Sequence, residues 1–94
     1  MCEVKAIIRP HRLDQVVEAL QALSGLPGIT VSQVHAYSGA RPGQAGEAAS
    51  VESDFMKLET VVPSELADVV VAAIARAAHT GRDGDGIVFV VPVG

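Results

Sequence analysis

The chain has 94 residues, 49% of them hydrophobic but only 3% aromatic, with a formal net charge of −4. That length makes one domain with a core of aliphatic side chains, short enough to benefit from burying further surface in an oligomer. The absence of any Lys/Arg run excludes a nucleic-acid module, and no apolar stretch has the length of a membrane helix.

Residues 3 to 9 read as a strand with Val4, Ala6 and Ile8 on one face, ended by Pro10. No signal peptide is visible here, because Glu3 and Lys5 interrupt the apolar residues. Cys2 is the only cysteine and has no internal disulfide partner, which fits a reducing, cytoplasmic location. Leu13, Val16, Val17, Leu20 and Leu23 fall at helical spacing, and Gly25, Pro27 and Gly28 break that helix. Ile29 to Tyr37 is a second strand, rich in β-branched residues.

Residues 38 to 52 carry Ser, Gly, Pro, Ala and Glu and almost no bulky apolar side chain. They predict a mobile loop, extending to about residue 54, and loops of that length are usually functional or disordered. Phe55 to Val62 is a third strand. Ser64 is placed to cap a second helix whose buried face is Leu66, Val69, Val70, Ala73, Ile74 and Ala77. The last strand is apolar at every position from Ile87 to Val91. A strand in a one-sided sheet alternates, so this run predicts that its second face is covered too, most simply by other subunits. The order β-α-β-β-α-β gives an α+β, ferredoxin-like sandwich with both helices on one face of an antiparallel sheet.

The most informative segment precedes that last strand: Thr80-Gly81-Arg82-Asp83-Gly84-Asp85-Gly86. Three glycines in seven residues mark a backbone that turns tightly or approaches something closely. A loop presenting successive backbone N–H groups holds an anion such as phosphate, although Gly and Asp are also ordinary turn residues.

Together with Val4-Lys5-Ala6-Ile7-Ile8-Arg9-Pro10-His11-Arg12-Leu13-Asp14, Gly28-Ile29-Thr30-Val31, Glu59-Thr60-Val61-Val62-Pro63 and Ala78-His79-Thr80-Gly81, this loop resembles the P-II family of signalling proteins. The resemblance covers nearly the whole chain outside residues 38 to 54. It implies a homotrimer with sheets facing a three-fold axis and nucleotides bound in clefts between subunits. By position it implies that Thr80, Gly81, Gly84, Asp85 and Gly86 cradle phosphates, while Gly28, Thr30 and Glu59 line the base side. Arg82 offers a further charge-assisted contact to phosphate. The loop at 38–54 would close over the ligand and dock on a target protein, such as a membrane transporter or a metabolic enzyme.

The chain departs from the family pattern at several points. Ile87 stands where a lysine follows Gly-Asp-Gly, the glutamine used for magnesium and 2-oxoglutarate is replaced around Ala40, and a lysine that bonds 2-oxoglutarate falls near Phe55. Each lost charge-assisted contact is worth roughly 1.5–3 kcal/mol. A less charged effector such as ADP, AMP or a cyclic nucleotide therefore fits better than ATP coupled to 2-oxoglutarate. No cofactor is obligatory.

Two other readings stay open on the residues alone. Cys2 and His35 are soft-metal candidates for a metal-responsive trimer of the kind linked to heavy-metal transport, though Cys2, His11, His35 and His79 show no ligand-motif spacing. A ligand-free structural oligomer is the third. No enzyme is expected, because Asp83 and Asp85 share one turn and no nucleophile–base pair is evident from spacing.

Overall fold

Strand β1 (Cys2–Ile8) alternates strictly: Cys2, Val4, Ala6 and Ile8 are buried and the residues between them are half-exposed. The computed structural model describes residues 1–26, 28–39, 50–82 and 86–94. After β1, a 3-10 turn (Pro10–Arg12) leads into α1 (Leu13–Gln21), and β2 (Thr30–Gly39) and β3 (Ser50–Val62) follow. A second 3-10 turn (Ser64–Leu66), α2 (Ala67–Ala78) and β4 (Gly86–Pro92) complete the chain.

The strands form one antiparallel sheet in the order β2-β3-β1-β4. β1 is paired on both sides: Ala6 lies opposite Leu58 of β3 and Val88 of β4. Val16 and Leu20 of α1 and Val70 and Ile74 of α2 pack with Val4, Ala6, Ile8, Leu58 and Val62 in a single core. Both helices therefore cover the same face of the sheet, which is the ferredoxin-like βαββαβ arrangement. No helix among the described residues is long and apolar enough to cross a membrane.

The opposite face is a charged ladder flanked by apolar residues. Lys5 lies opposite Glu59 on β3 and Phe89 on β4, and Ile7 lies opposite Lys57 and Ile87. The Lys5 Nζ is 3.4 Å from Glu3 and 4.0 Å from Glu59, and the Lys57 Nζ is 3.8 Å from Glu59. These side chains are partly solvated, so each pair adds little stability.

The structure corrects several sequence-based expectations. β2 and β3 reach into the segment read as loop: Ser38 pairs with Val51 and Gly39 with Ser50, so residues 38–39 and 50–54 are strand. The Ser-, Gly- and Glu-rich composition of this stretch hid the pairing, because backbone hydrogen bonding between strands needs no apolar run. Residues 40–49 lie outside the described residues. Ser64 does not cap α2; it begins the 3-10 turn after Pro63, and no side-chain cap bond forms there. Val69 is 49% exposed, on the flank of a buried stripe made by Ala67, Val70 and Ile74. In β4 only Val88 is packed on the core, while Ile87, Phe89, Val90 and Val91 stay exposed in the single chain. Truncating Ile74 to Ala is expected to cost about 2–5 kcal/mol of unfolding free energy in urea titrations. Val69→Ser, on the same helix, should change it by less than about 0.5 kcal/mol.

Candidate functional site

Gly28, Thr30 and Glu59, chosen from two separate sequence segments, line one open concavity of about 380 Å³. Strand pairing brings them together, since Thr30 lies directly opposite Glu59. The Thr60 hydroxyl donates a 2.6 Å hydrogen bond to the Gly28 carbonyl, tying the approach to β2 onto β3. Thr60 is 4% exposed and is the buried polar side chain of the described core. Glu3, Thr60 and Val61 complete the lining, and sequence reasoning did not single them out. The available signal was the alternation of β1, which puts Glu3 on the same face as Lys5. A Cβ built on Gly28 meets nothing within 4 Å, so the fold leaves that position open.

The glycine loop begins where α2 ends. His79 leaves the helix in an extended conformation, and the Arg82 N–H donates to the Thr80 hydroxyl at 3.3 Å. Between them Gly81 has φ +80°, a conformation that favours glycine. Gly86 has a different constraint: a Cβ there would stand 3.0 Å from the Ile7 carbonyl oxygen. Close packing against β1 thus accounts for Gly86 without a ligand. Gly84 and Asp85 lie outside the described residues. Arg82 is exposed, and His79, Gly86 and Ile87 border a concavity of about 390 Å³ between α2 and β4.

These two halves do not meet in one chain. Thr30 is on β2 and Gly86 on β4, the opposite edges of the sheet. Three strand spacings separate them, about 14 Å, with an offset of about 10 Å along the strands because Glu59 pairs with Lys5 and Gly86 with Ile8.

The metal candidates are also apart. Cys2 lies opposite Val62 and His35 opposite Asp54, eight residues or about 26 Å along β3. Cys2 is buried in the helix-covered core, whereas His35 is exposed with its Nδ1 2.8 Å from an Asp54 carboxylate oxygen. Among the described residues no three His, Cys, Asp or Glu side chains gather as a metal site.

The family model described as "Nitrogen regulatory protein P-II" matches residues 1–94. A nitrogen regulatory protein P-II of Azospirillum brasilense is 41% identical over 98 residues, covering 99% of this chain and 86% of its own. The protein of that name from Bradyrhizobium diazoefficiens is 43% identical over 95 residues, covering 96% and 83%. Nitrogen regulatory protein P-II 1 of Escherichia coli K12 is 40% identical over 98 residues, covering 99% and 86%. The chain belongs to the P-II family.

Two departures from the P-II pattern have a clear local structure. Phe55, near the position of the expected lysine, is 7% exposed with the Arg9 guanidinium 4.4 Å over its ring. Aromatic packing and a cation–π contact occupy that place. Ile87 is 55% exposed on β4 and offers no charge beside the glycine loop. The Thr60–Gly28 bond is the joint that shapes the concavity lined by Gly28, Thr30 and Glu59 in this P-II protein. Thr60→Val keeps the side-chain shape and should lower stability by about 0.5–1.5 kcal/mol, with faster amide exchange at residues 28–31.

Proposed function

We propose that this P-II protein is a cytoplasmic regulator that binds a small effector, an adenine nucleotide such as ADP or AMP, in clefts between the subunits of a homotrimer. The sugar and base lie against Gly28, Thr30 and Glu59 of one subunit. The phosphates lie on the Thr80–Gly86 loop of the next. Effector binding acts on the connection between β2 and β3, residues 40–49, which docks on a target protein such as a transporter. The coupling is the difference in the effector's affinity for the two loop states.

The observation that carries this reading is the placement of the two candidate halves on opposite edges of one sheet. A head-to-tail arrangement brings unlike edges together and closes into a ring when the rotation allows. The exposed Ile87, Phe89 and Val91 beside the charged ladder support burial of that sheet face in the ring. Family membership supports a regulatory rather than a catalytic role. The lysine positions filled by Phe55 and Ile87 support a ligand of lower charge than ATP with 2-oxoglutarate.

Calorimetric titration with ATP, ADP, AMP and cyclic AMP is expected to give saturable binding at one nucleotide per subunit, with ADP or AMP preferred. Gly28→Val, whose side chain meets open space in the fold, and Thr80→Ala should each weaken that binding while leaving the oligomer intact. Unchanged affinity in both variants would refute the site.

Assembly is tested separately. Phe89→Lys sets a second ammonium directly opposite Lys5 on the sheet face and should shift sedimentation from trimer to monomer. A trimer that survives this change would place the subunit contact elsewhere.

A further inference from the structure

The start of the glycine loop hangs on a residue from the opposite end of the chain. α2 ends at Ala78, and His79 departs with φ −60° and ψ 128° instead of curling back in the left-handed conformation that often closes a helix. The last carbonyls of a helix need partners from elsewhere. Arg12 supplies one: its Nε donates to the Ala77 carbonyl at 3.0 Å, across 65 residues of sequence. The bond is charge-assisted, and a cation at a helix C-terminus also meets the favourable end of the helix dipole.

Arg12 is itself firmly held. It closes the Pro10–Arg12 turn, where its N–H donates to the Arg9 carbonyl at 3.0 Å and the Leu13 N–H donates to the Pro10 carbonyl. Arg9, at the start of the same turn, lies over the buried Phe55 ring of β3. The sheet therefore fixes the turn, the turn fixes Arg12, and Arg12 fixes the last turn of α2. Only His79 and Thr80 separate that helix from Gly81, so the position of its end sets where the loop's first N–H groups point.

We propose that Arg12 is a positioning residue for the phosphate end of the nucleotide site, an assignment that rests on the nucleotide reading above. Arg12 does not touch the ligand; it acts through the Ala77 carbonyl.

The test compares wild type with Arg12→Met, which keeps the stem and loses the donor, and Arg12→Lys, which restores a charged donor. Arg76→Met is the control, because Arg76 is the basic residue of the same last turn and is exposed. Each is titrated with ADP by calorimetry, its melting temperature is recorded, and amide hydrogen exchange is followed over residues 79–82 without nucleotide. Arg12→Met should exchange faster there and bind ADP about three- to tenfold more weakly. Arg12→Lys should recover most of the affinity, and Arg76→Met should match wild type. A lowered melting temperature with unchanged ADP affinity would make Arg12 a stability residue only and overturn the assignment. An equal loss in Arg76→Met would trace the effect to charge at the helix end and overturn it too. Wild-type protein that binds no ADP would overturn the nucleotide reading and this assignment together, whereas binding that ignores Arg12 overturns this assignment alone.

Discussion

The two-sided pairing of β1 is the constraint on which the rest of the molecule depends. It holds β3 on one side and β4 on the other, and its Val4, Ala6 and Ile8 are at most 1% exposed beneath the two helices. A one-residue slip of β1 would send these side chains to the charged face and bring Glu3, Lys5 and Ile7 into the core. The same register that fills the core sets Lys5 against Glu59 and brings Ile8 alongside Gly86, so packing and the candidate site are specified by one alignment of strands.

Element types and fold were legible because they follow from periodicity. Leu13, Val16, Val17, Leu20 and Leu23 describe a helix face, and Val4, Ala6 and Ile8 describe a strand face, without reference to anything distant. What escaped depended on contacts with no local signature. The hairpin continues through Ser38, Gly39 and Ser50 because backbone pairing does not depend on an apolar run. Ser64 had the composition of a cap, yet Pro63 starts a tighter turn there. Val69 fitted the helical spacing, but the face packed on the sheet centres on Ala67, Val70 and Ile74 and leaves Val69 on its flank.

The candidate site was legible in part for a similar reason. Gly28, Thr30 and Glu59 were separable as motifs, and strand pairing gathers them. Glu3 and Thr60 were not, because their part in the concavity exists only once β1, β2 and β3 are side by side. The glycine loop shows how composition underdetermines role. Gly81 answers to a backbone angle, Gly86 to the nearby Ile7 carbonyl, and Gly28 to neither. At Gly28 neither a backbone angle nor a close neighbour within the chain calls for glycine.

The opposite-edge placement of the two candidate half-sites has a consequence for mixtures of chains. In the proposed ring every subunit belongs to two clefts, giving its β2 side to one and its β4 side to the other. A trimer assembled from one chain damaged at Gly28 and two damaged at Gly81 would still contain one cleft with both halves undamaged. Neither parent homotrimer would contain any. A defect at one edge can thus be complemented by a defect at the other, while a chain damaged at both edges spoils two of the three clefts in any trimer it enters.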